Sequence, residues 1–504
     1  MAEFGKVSVG GHDGTGCGCC VTRRECLKLF SAAAIGAGML GGALPTLAAD
    51  GDSDYVPVAS LRPKPKVSIY AAILQQPRPY WLGWPGTAYD LDRRQKEYLA
   101  KLDTSAKQLG IDVEVAQSPV QDQAGLDALI STMKAKRPDG LLVILQHMNC
   151  WGWVDALASS AGSPLLVFSP IGTSFTGHVA GISRRPGVYV ASTLEWSAVE
   201  DGMRMVRAKR RYEETRILWI QGEQRNETVL DRLGTKVRAI PRRTFNELFE
   251  TVPVTKEVRD VAADQRRHAK RIVEPTMEDS LNSARAYVAA KRLMASEHAN
   301  ALSMDCLGMV GAKLVPTPPC GAWTILQDNG ITAGCEADLF GAMSLMLTSY
   351  LLDRPSFLND PVAETAKNLL IAAHCTSGTR LRGFDKPAVP YILRNHSESA
   401  LGVSMQVLWP VGEPVTLVRF NNTDELILDT GTVVSNIPTP PAGGCRTSVG
   451  IKIDNVEDSR DVLGFHQAVV LGNFKREVAS FCQLYGIRTI HSPERSPHTD
   501  ERSA

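Results

Sequence analysis

The sequence predicts an α/β protein that ends in an all-β domain, and three observations carry that reading. From Lys66 to about Cys335, short apolar runs alternate with stretches of helical period, the pattern of parallel strands joined by crossover helices. The alternation occurs twice, over residues 66–185 and again over 186–360, which predicts two Rossmann-like α/β domains. From Pro361 the long helical stretches stop. Short β-rich runs separated by Gly, Pro and Asn replace them, which predicts a β-barrel-like domain over 361–490.

Each element follows from its local pattern. In the first domain, KVSIYAAIL (66–74) is a strand after the proline-rich RPKP, and a helix covers Leu91–Leu109. IDVEVA (111–116), a helix at 124–136, LLVILQ (141–146) and PLLVFS (164–169) continue the alternation. The second domain opens with VYVAS (188–192), a helix near 195–211, RILWIQG (216–222) and KVRAIP (236–241). Helical segments at 255–272 and 278–299 lead to the strand ALSMDC (301–306). An apolar lead-in then ends at Cys335, and a helix runs to about Leu352. The last domain holds NLLIAAH, PVTLVRF, ELILDT, GTVVSN, TSVGIKI and HQAVVLG as short strands, and residues 491–504 read as a disordered tail.

Composition excludes several classes. The 504 residues carry 55 Lys+Arg against 54 Asp+Glu, so no global basic field attracts nucleic acid or an anionic membrane. The amino terminus reads as an address. Arg23 and Arg24 precede a weakly apolar, glycine-diluted stretch (Leu29–Leu44), and Thr46-x-Ala48 or Leu47-x-Ala49 follows as a small-residue cleavage site. Residues 1–49 are therefore expected to be a twin-arginine signal peptide, with 50–65 a linker and the mature protein periplasmic or otherwise extracytoplasmic. No Cys stands at the cleavage site, so no membrane anchor is expected after processing. Seven widely spaced cysteines remain beyond residue 49, with no CxxC pair among them. That spacing supports neither a disulfide scaffold nor a structural zinc module, and buried free thiols are the expectation.

Chemistry-bearing residues concentrate between 305 and 475. Glu336 stands where a strand ends and a helix begins, the usual place for site residues in an α/β sheet. Asp360 comes 24 residues later, after one helix and a short return. His374 ends NLLIAAH and His466 opens HQAVVLG. Two carboxylates and two imidazoles converging from different elements suit a hard-to-borderline divalent ion such as Mn2+. Each also has a structural alternative, a helix cap for Glu336, a turn for Asp360, a core histidine for either imidazole. Substrate-binding candidates are Asp305 at the end of ALSMDC, then Arg394, His396 and Glu398 in RNHSES. His147 and Trp151, with Asn149 between them, place an aromatic beside polar groups after LLVILQ, as a sugar face needs.

Residues 305–475 resemble the sugar isomerase family that includes L-fucose isomerase and L-arabinose isomerase. The carriers are DCLGMVGAKLVPTPPCGAW, GCEADLFGAMSLMLTSYLLDRPSFLND, AAHCTSG, RNHSESALGVSMQVLWPVGEPVT and GFHQAVVLGNF. The resemblance implies that Glu336 and Asp360 are metal ligands and the acid/base pair, that His466 is a third ligand, and that His374 falls at a further metal-ligating position. It implies an aldose–ketose isomerase acting on a pentose or deoxyhexose through an ene-diol, and a homo-oligomer, hexamer or trimer, with sites at subunit interfaces. The chain is shorter than fucose isomerase and adds an export signal. Two other readings stand beside this one. One is an exported carbohydrate-binding protein without catalysis. The other is a family member acting on a modified, for example anionic, sugar, with Arg394 or Arg446 as the anion contact.

Overall fold

The computed structural model describes residues 54–80, 90–312, 314, 317–440 and 444–494. The signal peptide and the tail from residue 495 lie outside the described residues. Among the described residues no helix is long and apolar enough to cross a membrane.

The first lobe is built on five parallel strands: β1 (Ser68–Leu74), β2 (Asp112–Val115), β3 (Gly140–Leu145), β4 (Leu165–Ser169) and β5 (Val188–Ser192), in the order β2-β1-β3-β4-β5; VYVAS, read as opening the second domain, instead pairs with β4 and ends this sheet. Every residue of β3 (GLLVIL) and β4 (LLVFS) is buried, as expected of central parallel strands covered on both faces by helices. Helix Leu91–Leu109 begins where it does because the Asp90 carboxylate accepts the Arg93 N–H at 2.9 Å.

The second lobe holds β6 (Arg216–Ile220), β7 (Asn226–Val229), β8 (Lys236–Ile240), β10 (Ala301–Met304) and β11 (Thr332–Cys335), ordered β11-β10-β6-β8-β7. All pair in parallel except the edge strand β7, an element the sequence pattern did not signal. The short β9 (Arg271–Ile272) lies where the sequence suggested helix to 272; the helix stops at His268. This strand leaves the lobe to pair with the later strand Tyr391–Arg394.

Six antiparallel strands close the third region into a barrel. They are β12 (Phe357–Glu364), β13 (Leu369–His374), β16 (Pro414–Asn422), β17 (Glu425–Asn436), β18 (Thr447–Ile453) and β19 (Gln467–Leu471). Pairing of β16 with β17 completes the ring, and β20 (Arg488–Ile490) lies parallel to β17. A small sheet of β14 (Tyr391–Arg394), β15 (Ser404–Val407) and β9 stitches barrel and second lobe together. Helix Lys475–Tyr485 adds a helix to a region read as strands alone.

The barrel starts earlier than Pro361. Asp360 and Pro361 lie inside β12, paired with Ala373 and Ala372 of β13. Proline is tolerated there because β19 pairs β12 only through Phe357–Asn359, so the missing N–H removes no bond to that neighbour. Asp360 therefore approaches Glu336 from the barrel rather than along the edge of the parallel sheet.

Helix Leu339–Leu352 joins lobe and barrel. It is rich in Leu and Met, and every residue from Leu339 to Leu351 is buried, as a helix apolar all round must be. The Tyr212 hydroxyl donates to Met343 O at 2.7 Å from the lobe side, and the Phe420 N–H of β16 donates to Ser344 Oγ at 2.9 Å from the barrel side. Truncating its fully buried Leu347 should leave a cavity at this junction. Leu347→Ala is expected to lower the unfolding free energy by about 3 kcal/mol in denaturant titration.

Candidate metal centre

Four segments converge because the strand pairings leave them few alternatives. Asp360 is paired with Ala373, next to His374, while Asn359 is paired with Gln467, next to His466. Three of the four predicted groups thus sit on neighbouring strands, β13, β12 and the start of β19. Glu336 is delivered from the other side, at the end of β11, by the buried helix that follows it.

The local backbone is unusual at these points. Glu336 (φ 58°), Ala337 (φ 53°) and His466 (φ 57°) all occupy the left-handed region without being glycine. Each such residue costs on the order of 1 kcal/mol and persists only where its surroundings demand it.

Glu336, Asp360, His374 and His466 each offer a ligand atom, and these atoms all lie within 4.8 Å of one another. His466 Nε2 is 3.0 Å from Asp360 Oδ1 and 3.3 Å from Glu336 Oε2; His374 Nε2 is 3.7 Å from Glu336 Oε1. Asp360 Oδ1, His374 Nε2 and His466 Nε2 are buried without a hydrogen-bond partner. Three orphaned buried polar atoms aimed at a common point are the mark of a missing shared partner, and an oxygen–nitrogen donor set suits a divalent cation.

A residue outside the predicted set orients the centre. Asp338 accepts the His466 Nδ1–H at 2.9 Å, pairs with Arg419 of β16, and caps the helix by accepting the Gly341 N–H at 2.8 Å. With its proton fixed on Nδ1, His466 can give up the one on Nε2 and turn that lone pair towards Glu336 and Asp360, the carboxylate–histidine arrangement found behind metal-ligating imidazoles. Position 341 must be glycine here, since a Cβ would stand 2.7 Å from Asp338 Oδ2.

His374 is set differently. Its Nδ1 accepts the Cys375 N–H at 2.8 Å, which places the ring proton on Nε2, facing Glu336. In that state it is a donor to a carboxylate or substrate oxygen; as a fourth ligand through Nε2 it has to move that proton to Nδ1 and lose the Cys375 N–H bond.

Electrostatics follow from this packing. Burial works to raise the Glu336 carboxyl, but hydrogen bonding and charge from His374 and His466 outweigh it and hold Glu336 well below the usual carboxylate range. Burial disfavours charge on His466, yet Asp338, Asp360 and Glu336 around it push its pKa up to about 11. Asp338 is held low, its burial overcome by His466 and Arg419.

The other sequence candidates are placed elsewhere or committed to internal partners. Asp305 ends β10 beside β11, where it caps the next helix through Gly308 N–H at 3.0 Å and pairs with Arg242. Arg394 is buried in a two-pronged pair with Glu274, and Arg446 is held by Asn395 and Pro440 O. His396 is buried beside Cys320 and Cys375, and Glu398 is exposed. His147 and Trp151 belong to the first lobe. The His147 ring meets Tyr80 edge-on at 5.1 Å and accepts the Asn149 N–H, while Trp151 is buried and donates to Thr173 O at 2.9 Å. In this structure Trp151 serves packing.

No family model matches the sequence. A sulfoquinovose isomerase of Clostridium sp. (strain MSTE9) is 28% identical over 180 residues, covering 33% of this chain and 39% of the relative. A sulfoquinovose isomerase of Alkalicoccus urumqiensis is 26% identical over 216 residues, covering 40% and 46%. The chain thus matches less than half the length of these curated relatives, both of them sugar isomerases, in keeping with the resemblance read from the sequence. A solved ABC transporter solute binding protein from Burkholderia multivorans aligns at 10% identity over 50% of this chain and 86% of its own, with a TM-score of 0.17, too low to carry an argument.

Two outcomes are expected of this geometry. His466 is charged below about pH 11, so a cation taken by its Nε2 displaces that proton, and apparent affinity falls as pH is lowered. Calorimetry of Mn2+ binding in buffers of different ionisation enthalpy should report about one proton released per ion, the one lost by His466. Asp338→Asn should weaken Mn2+ binding by about 10- to 100-fold, because the imidazole loses its orienting carboxylate.

Proposed function

We propose that this protein is a divalent-metal-dependent aldose–ketose isomerase acting on a pentose or deoxyhexose. The observation that carries the reading is the convergence of Glu336, Asp360 and the His466 Nε2 lone pair on one buried point. These three residues would hold the cation, with His374 beside them. When bound, a divalent ion such as Mn2+ supplies positive charge that stabilises the charge developing on the two sugar oxygens of an ene-diol.

The chain's own residues do the proton work. One of Glu336 and Asp360 takes the carbon-bound proton at C1 or C2, and the other passes a proton between the neighbouring hydroxyl and carbonyl oxygens. His374 Nε2–H, 3.7 Å from Glu336, lies within reach of an oxygen entering between them. Burial of both imidazoles limits the water able to compete for the transferred proton.

The relatives are named for sulfoquinovose, a sulfonated deoxyhexose, and this favours the second reading, that the sugar is anionic. Arg394 and Arg446 are already bound within the chain, so an anionic sugar would draw its cationic contact from elsewhere. Export by the twin-arginine route and assembly into a homo-oligomer complete the proposal, both from the sequence.

The test is an isomerisation screen of the metal-loaded protein over pentoses, deoxyhexoses and sulfoquinovose in deuterated water, reading deuterium gained at C1 or C2. Glu336→Gln and Asp360→Asn are each expected to lower kcat by about 10³-fold or more while the circular dichroism spectrum is unchanged. Near-normal turnover by Glu336→Gln would remove the assignment. Sugar binding without isomerisation by the wild type would favour the carbohydrate-binding reading instead.

A further inference from the structure

We propose that Cys320, Cys375, Cys445 and His396 form a second metal site, a zinc site of three thiolates and one imidazole, distinct from the carboxylate–histidine centre. The Sγ atoms of Cys320 and Cys375 and a ring nitrogen of His396 all lie within 4.8 Å of one another. Their residues are buried, with exposures of 4%, 3% and 6%. The half-buried Cys445 thiol lies beside that of Cys375 but outside this group of three atoms, and we assign it as the fourth donor, which swings in when an ion binds.

In a tetrahedral zinc site, bonds of about 2.3 Å to sulfur and about 2.0 Å to nitrogen set ligand atoms about 3.5–4 Å apart. The observed cluster needs only small shifts to close on an ion. None of these cysteines is paired in a disulfide. Thiolates with one imidazole select zinc over the hard ions that suit Glu336 and Asp360. Ser399 holds the His396 ring through Nδ1, which lies 3.1 Å from its Oγ and accepts its N–H at 3.4 Å, leaving Nε2 as the nitrogen free to turn to the metal. Arg446, next in sequence to Cys445, brings a buried guanidinium to offset the negative charge of three thiolates.

The four donors come from separate segments. Cys320 opens helix Cys320–Asp328 of the second lobe, Cys375 follows β13, His396 follows β14, and Cys445 precedes β18. The ion would tie lobe, barrel and small sheet together. It would also anchor Cys375, whose N–H fixes the His374 ring. No CxxC spacing announces the site because tertiary folding alone gathers it. The proposal is independent of the isomerase reading.

The experiment uses the full chain purified from zinc-supplemented cells, with metal content measured and cobalt(II) then exchanged in. We expect about one zinc per chain and, with cobalt, a near-ultraviolet thiolate-to-metal charge-transfer band. Cys320→Ser and Cys375→Ser should lose both; should either fail to fold, Cys445→Ser and the wild-type spectrum alone decide. A folded wild type that binds cobalt without that band, or that yields a Cys320–Cys375 disulfide on peptide mapping, would overturn the site. Manganese content of the same samples reports the other centre separately.

Discussion

The hydrogen bond between His466 and Asp338 is the contact on which the arrangement depends. A single carboxylate caps the buried helix, meets Arg419 from the barrel wall and holds the imidazole at 2.9 Å. Remove it and Arg419 is left buried without its counter-charge, the helix loses its first-turn acceptor, and His466 loses its tautomer. A buried charge stripped of its partner is far more costly than the same pair is stabilising. This explains why an orienting residue can be as consequential as the groups that touch a ligand.

The centre also concentrates unfavourable features. Three non-glycine residues sit in the left-handed region, and acidic groups crowd within a few ångströms. Such a cluster persists because the surrounding apolar contacts outweigh it. Trp323, Phe357 and the whole of helix Leu339–Leu351 are buried around or behind it. Charge is balanced locally: the His466 imidazolium and Arg419 offset Glu336 and Asp338. An entering cation takes over the role that the proton on His466 fills in its absence.

Much of this was legible in the sequence. The continuous apolar run of β3 and the alternation of strand with helix pointed to the parallel sheets, and the helical period gave the helix Leu91–Leu109, though VYVAS was placed one lobe too late. The barrel was legible as a class but not in detail. ELILDT and GTVVSN read as two strands because Gly431 looks like punctuation, yet they form one 12-residue strand. That glycine is there for close strand approach, since a Cβ would lie 2.5 Å from Lys452 O. β7 (NETV) is short and half polar, so it carries no apolar period. At the site, Glu336, Asp360, His374 and His466 were singled out as ligand types near strand ends, and the family resemblance drew them into one set; Asp360 in fact lies inside β12. Asp338 was missed because an aspartate before a helix reads as a cap, which it also is. Asp305, Arg394 and Trp151 were visible for their chemistry, and only tertiary contacts show their internal partners.

The division of the centre between lobe and barrel bears on how the chain matures. Glu336 and His466 are 130 positions apart, and neither half holds more than part of the donor set. Pairings of such long sequence separation form late, after the entropy of closing the intervening loop has been overcome. A complete donor set therefore exists only once lobe and barrel have docked, and the barrel's three donors alone lack the Glu336 carboxylate.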